Sequence, residues 1–321
     1  MIPKDLFDAI ERSECVLFLG AGVHYPPPDG SGYSYPSESR PPLGTSFSCQ
    51  LADECLADLD ADSKSDGIDS AVADKQRAEV EWKQREETRQ AEREYLTKTR
   101  EVLQRTSWYY HQIAYDRNRL VTKIIDAVGT NKQPSPLVRA LAEINFPVVI
   151  TTNYDKLFER ALQGFQKEPA IRIYDPGGVK TTKDFPGQPK PTQPWLFKMH
   201  GCMSEPGSIV VTDEDYIHFV MRMGDSEDFH PVPQKLRTQF KEWPTLFVGY
   251  SLLDYNLRLL FRTLRRRIDV AELPGAFSLD PRPDLLVRET YSNANVSFIE
   301  QDSWRFVPEL YQRLFGREMP K

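Results

Sequence analysis

One unit recurs along this chain and limits its architecture more than any other feature. A short apolar run ends in a polar turn, and residues at helical spacing follow. The clearest copy runs from Val148 to Arg160. Val148, Val149 and Ile150 are a β-branched run, the composition of a strand covered on both faces. Thr151, Thr152, Asn153 and Asp155 follow at once, and then Leu157, Phe158, Ala161 and Leu162 recur at helical spacing. Such alternation predicts an α/β fold, a Rossmann-like, doubly wound parallel sheet. Ligands of such sheets bind outside the carboxyl ends of the strands, where Asn153 and Asp155 fall.

Other copies are Cys15–Leu19 before Gly20-Ala21-Gly22, Trp195–Met199 before His200-Gly201, and Thr245–Val248 before Gly249-Tyr250-Ser251. Leu252, Leu253, Leu257, Leu260, Phe261 and Leu264 then predict a helix, closed by Arg265–Arg267. Further strands are expected at Ser208–Val211, Ala276–Leu279 and Val296–Ile299, and a last helix at Trp304–Phe315. Helices are expected at Lys4–Arg12, from Phe47 through Leu56 with Thr45 or Ser46 as N-cap, and at Leu137–Ile144. His24–Pro42, rich in Pro, Gly, Ser and Tyr, reads as a long loop.

Asp58–Asp69 is polar and aperiodic and reads as a linker. From Lys75 to Arg105 sixteen of 31 residues are charged. Glu79 and Lys83, Glu81 and Arg85, Glu94 and Lys98, and Glu101 and Arg105 stand four apart, each acid first, the favourable order in a helix. One or two exposed helices are expected, continuing through Tyr109–Val128. The organisation expected is one domain over 1–321 with a helical insertion at 71–128.

The 321 residues carry a net charge of −6, which gives no general reason to expect direct nucleic-acid binding. No apolar run approaches the roughly 20 residues that span a bilayer, and the polar N-terminus has no signal-peptide core. A cytoplasmic protein without a membrane partner is expected. Cys15, Cys49, Cys55 and Cys202 form no Cys-x-x-Cys pair, so no zinc ribbon is expected.

The four turns carry a coherent chemistry. Gly20 and Gly22 suit either backbone N–H donation to a pyrophosphate or a tight corner. Asn153 can both donate and accept hydrogen bonds, and so could hold a ribose hydroxyl and a water. It could equally cap the helix that follows. Asp155 could orient a donor or stabilise positive charge. His200 is the group able to move a proton near neutral pH, if it is not a satisfied core histidine. Ser251 could bond a ribose or phosphate oxygen. His24, His111, His218 and His230 have no motif around them and read as structural or surface residues.

In order and spacing, Gly20-Ala21-Gly22, Thr151-Thr152-Asn153-Tyr154-Asp155, His200-Gly201 and Gly249-Tyr250-Ser251 resemble the sirtuin family, specifically its branch without a zinc module. The resemblance spans Cys15 to Leu264. It implies NAD as the substrate, cleaved at the nicotinamide–ribose bond without a metal. Asn153, His200 and Asp155 would be catalytic, and Gly20, Ala21, Gly22, Thr152, Gly249 and Ser251 would bind NAD. Three departures stand out: the zinc-ribbon cysteines are missing, Thr152 replaces a glutamine, and His24 replaces a serine. These favour hydrolysis to nicotinamide and ADP-ribose, as in bacterial anti-phage proteins that deplete NAD. Such domains work as homo-oligomers or beside a partner such as a HerA-like ATPase. The alternatives are an NAD-dependent protein deacylase and a non-catalytic NAD or ADP-ribose binding subunit. The NAD-cleaving reading requires several loops to meet at one rim, so that the Asn153 amide and the His200 imidazole face one sugar carbon.

Overall fold

A computed structural model of the chain describes residues 2–65, 75–177, 183–223, 230–250, 252, 273–291 and 295–321. Seven strands form one sheet: β1 (Val16–Leu19), β2 (Val148–Thr151), β3 (Ala170–Ile173), β4 (Trp195–Lys198), β5 (Thr245–Val248), β6 (Ala276–Leu279) and β7 (Val296–Ile299). Their order is β3-β4-β2-β1-β5-β6-β7, and every neighbouring pair is parallel. The chain winds one way from β1 and then the other way from β5. The order therefore reverses between these two strands, where a doubly wound sheet opens its crevice.

Side-chain alternation splits the sheet's core into two layers. Leu17, Leu19, Val149, Leu196, Leu246 and Val248 face one cluster. It is covered by α1 (Lys4–Glu11), α6 (Pro136–Glu143), α7 (Leu157–Gly164) and α11 (Ser303–Phe315). Val16, Phe18, Val148, Ile150, Trp195, Phe197 and Phe247 face the other, with α8 (Asp213–Met223), α9 (Gln234–Glu242) and α10 (Leu285–Tyr291). Burial on both faces explains the unbroken apolar runs of β1, β2 and β5. Local signals set the helix starts. Ser135 accepts from the Val138 N–H at 3.0 Å, with Pro136 at the first helical position, and Asp302 accepts from the Trp304 N–H at 2.7 Å.

The structure differs from the sequence expectations at several places. The residues expected to be a strand at Ser208–Val211 form no strand. Ile209, Val210 and Val211 are buried, but the Val210 N–H goes to the His200 carbonyl at 3.0 Å, so this segment braces the turn after β4. β3 was not expected; it is a half-buried edge strand with Arg172 in it, and lacks the apolar run of a covered strand. The linker expected from Asp58 is helical as far as Ser65, within α2 (Gly44–Ser65), and residues 66–69 lie outside the described residues. Neither Thr45 nor Ser46 is the N-cap. The helix starts at Gly44, and the Ser46 hydroxyl donates to the Leu43 carbonyl. The helix expected from Leu253 to Arg267 lies outside the described residues.

The chain divides into two compact units. One holds the sheet and comprises Met1–Pro41, Ile124–Val210 and Asp215–Lys321. The other comprises Pro42–Lys123 and Val211–Glu214. In the latter, α2 packs with α3 (Lys75–Thr99) and α4 (Leu103–Tyr109). A π-helical turn, Tyr110–Ala114, and α5 (Arg117–Gly129) follow. Glu79–Lys83 and Glu94–Lys98 pair at 3.1 and 3.7 Å, whereas Arg105 pairs with Asp213 at 2.7 Å. Glu54 accepts from Arg119, Lys123 and Tyr110. Burial would raise its carboxyl, but these donors hold it below the usual range.

Candidate active site

Parallel pairing of β4, β2, β1 and β5 puts their four following turns on one edge of the sheet. At the reversal point the turns after β1 and β5 cross in contact. The Gly20 N–H donates to the Val248 carbonyl at 3.0 Å, and the Gly22 N–H to the Gly249 carbonyl at 2.8 Å. Gly249 has φ +69°, the left-handed region, and a Cβ there would collide with the Val23 amide. A Cβ on Gly20 would meet the Gly249 carbonyl and the Tyr250 ring. The glycines thus allow two backbones to touch. Of the two roles open to Gly20 and Gly22, the tight corner is the one these amide bonds serve, both being engaged inside the crossing. Ala21 begins the 3-10 turn Ala21–His24, and among the described residues its N–H donates to no backbone carbonyl outside that turn.

The turn after β2 lies against this crossing. Thr151 donates its hydroxyl to the Leu19 carbonyl at 3.1 Å and accepts from the Asn153 N–H at 3.1 Å. The Asn153 amide nitrogen donates to the Gly20 carbonyl at 3.3 Å. The side chain is half-exposed, so it can also meet a ligand. Asn153 does not cap the next helix. Lys156 holds the N-cap position, and Asp155 Oδ1 just before it accepts from the Leu157 N–H at 2.8 Å. Asp155 Oδ2 lies 3.1 Å from Nε2 of His24, and both residues are buried. Burial alone would raise the Asp155 carboxyl; His24, Lys198 and the Leu157 N–H outweigh it and hold it below the usual carboxylate range. Leu19, Val23, His24, Val138, Thr151, Asn153, Asp155, Phe158 and Glu159 line a cavity of about 10 Å³, room for one water.

Beneath the turn lies a buried ion pair. Lys198, on β4, is fully buried, and its Nζ reaches Glu159 Oε1 on α7 at 2.9 Å and donates to the Asp155 carbonyl. Burial would lower the ammonium's pKa, but Glu159 and the other nearby anions raise it above the ordinary lysine value.

His200 stands at the end of β4, next to the Asn153 turn, but its ring faces elsewhere. It packs edge-on to Tyr216 and Phe219 with centroids 5.0 and 6.1 Å away, and Nδ1 is 3.4 Å from the Tyr216 hydroxyl. It is absent from the lining of the Asn153 cavity. Burial pushes its pKa down to about 3, so the ring is neutral at pH 7, an acceptor rather than a group titrating near neutrality. Below about pH 6.5 an unfolded chain protonates this ring while the folded one does not, so stability falls as pH falls towards 3. Urea unfolding at pH 7, 6 and 5 should show the native chain losing more than His200→Phe, with a difference that steepens towards about 1.4 kcal/mol per pH unit below pH 6. Parallel slopes would mean that the ring titrates normally in the fold.

Asn153, Asp155, Thr151 and His24 thus meet at one point, beside the Gly20–Gly22 and Gly249 crossing. Thr152 is half-buried, with its N–H on the Leu19 carbonyl at 3.3 Å. Ser251 lies outside the described residues. His24 carried no motif, and its partner Asp155 is 131 residues away. The serine-to-histidine departure was the one signal in the sequence that pointed to it.

The family model of the SIR2-like domain matches residues 147–299. The NAD(+) hydrolase ThsA of Acinetobacter baumannii is 29% identical over 157 residues, 49% of this chain and 30% of that protein. ThsA of Bacillus cereus is 24% identical over 237 residues, covering 68% and 47%. Defense-associated sirtuin 2 of Bacillus subtilis is 23% identical over 185 residues, covering 56% and 17%. The chain thus spans less than half the length of the curated relatives it matches. Residues 147–299, on a parallel sheet with polar turns at its strand ends, thus match the SIR2-like domain.

Proposed function

We propose that this chain hydrolyses NAD to nicotinamide and ADP-ribose. The observation that carries the reading is the position of the Asn153 amide. It stands at the carboxyl end of β2, held by Gly20 beside the glycine crossing where the strand order reverses. The dinucleotide would lie along the crevice above that crossing, its reacting ribose over Asn153. Water adds to the ribose anomeric carbon as the bond to nicotinamide breaks, and the water's second proton is released. The transition state has oxocarbenium character, and fixed dipoles such as the Asn153 amide, with the Asp155 carboxylate behind it, are suited to favour it. His200, neutral at pH 7, would accept a hydrogen bond from a ribose hydroxyl if its ring turned from Tyr216.

The relatives are named NAD(+) hydrolase and defense-associated sirtuin. By that likeness we take the chain to act in bacterial anti-phage defence by depleting cytoplasmic NAD, as a homo-oligomer or with a HerA-like ATPase, and without a metal. Chromatographic assay of nicotinamide, with and without an acetyl-lysine peptide, tests the reaction type. Equal release in both arms is expected. Release that depends on the peptide would mark a deacylase, and binding of NAD without any release would mark a sensing subunit.

A further inference from the structure

His24 stands where the sirtuin resemblance expects serine, and it is the most constrained ring at the site. Its Nδ1 lies 3.4 Å from the Tyr35 oxygen, and Tyr35 donates its single proton to the Gln133 carbonyl at 3.0 Å. At the other end the Asp155 carboxylate, an acceptor only, faces Nε2 at 3.1 Å. Nε2–H therefore donates to Asp155, and the groups at both ends of the ring are anchored in turn. Tyr35 is tied to the Gln133 backbone, and Asp155 to the first turn of α7. The ring is 4% exposed and has little freedom to move.

The amide nitrogen of Asn153 lies 3.5 Å from the same Nε2. Two donors do not bond each other, so this contact acts as a wall. It leaves the Asn153 nitrogen the Gly20 carbonyl as its acceptor, and it turns Oδ1 of Asn153 away from the ring. We propose that His24 is a positioning residue: clamped between Asp155 and Tyr35, it fixes the side chain of Asn153 in the orientation the reaction uses. A serine hydroxyl is too short to span from Tyr35 to Asp155 and also wall off the amide. The proposal rests on the hydrolase reading for its kinetic consequence but not for its geometry.

Two readouts test it. The first is steady-state NAD cleavage. His24→Ala should lower kcat about 10- to 100-fold, the scale of a misplaced reacting group, with KM for NAD within about twofold. His24→Gln keeps an N–H donor for Asp155 and should recover to within about fivefold of the native kcat. The second is the Asn153 side-chain amide pair in spectra of protein labelled with ¹⁵N-asparagine, assigned by its loss in Asn153→Ser. It should shift or broaden in His24→Ala and return in His24→Gln. If alanine unfolds the chain, Tyr35→Phe serves instead, with the same displacement in smaller measure. An Asn153 pair unchanged in these variants overturns the proposal, as does a native kcat in His24→Ala. Equal losses in the alanine and glutamine variants that track their melting temperatures would also overturn it. If the native chain releases no nicotinamide, the hydrolase reading fails by itself, and the amide signal still decides the role of His24.

Discussion

Asn153→Ala is expected to cut nicotinamide release at least 100-fold while leaving the fold in place. Removing one fixed hydrogen-bonding group from a charge-developing site costs about 100- to 1,000-fold in comparable cases. The structural loss should be small. Asn153 is half-exposed, caps no helix, and contributes one side-chain hydrogen bond, to the Gly20 carbonyl at 3.3 Å. That bond is worth about 1 kcal/mol, so the melting temperature should move by only a few degrees. Chromatography of nicotinamide against time, beside a thermal melt, separates the two effects. Full activity in a folded Asn153→Ala variant would remove the site from this strand end.

Lys198→Met is expected to destabilise the sheet-bearing unit by about 3–5 kcal/mol, the usual cost of stranding one member of a buried ion pair. Lys198 is fully buried and Glu159 is 3% exposed. Among the described residues the second carboxylate oxygen of Glu159 has no hydrogen-bond partner, so loss of Lys198 leaves the carboxylate uncompensated. The Asp155 carbonyl loses its donor as well. Since the folded pKa of Lys198 is raised, the native pair stabilises the chain fully below the ordinary lysine value and weakens only at more alkaline pH. In the variant the isolated Glu159 should take up a proton on folding, so its deficit should shrink as pH falls from 7 towards 5. Urea unfolding at both values checks this. The double replacement Lys198→Met, Glu159→Met should regain most of the loss, because no buried charge is left unpaired. A single variant as stable as the native chain would contradict the pairing.

The legible part of the fold was the part governed by burial on both faces. β1, β2, β4 and β5 announce themselves as unbroken apolar runs because both core layers use them. Three kinds of element escaped. β3 is an edge strand, half-buried along its length, and its sequence Ala-Ile-Arg-Ile has no strong pattern. The end of α2 is polar and is tied to α3 by side chains: Arg93 reaches Asp60 and the Leu59 carbonyl, and Ser63 reaches Glu86. Apolar periodicity cannot detect such a pairing. Ile209–Val211 is as apolar as a strand but is buried, with the Val210 N–H on the His200 carbonyl.

The site divides in the same way. Asn153 and Asp155 were readable from one local turn, since a strand end predicts where they emerge. The amide bonds of Gly20 and Gly22 were not, because their acceptors lie on a strand more than 200 residues later. The environments of the two histidines were not legible in the sequence. His24, without a motif, contacts the Asn153 amide, while His200, within a motif, turns its ring to Tyr216 and Phe219. Sequence spacing gives residue types at a rim but not the layer each side chain enters.

We propose that the Asn153 amide at the carboxyl end of β2 serves the cleavage of NAD. The most direct measurement is the stoichiometry of products formed from NAD alone by the full chain. Nicotinamide and ADP-ribose in equal amounts, both lost together in Asn153→Ala, are the predicted result. Intact NAD after prolonged incubation, in the isolated chain and in the complex recovered from cells after phage challenge, would contradict it.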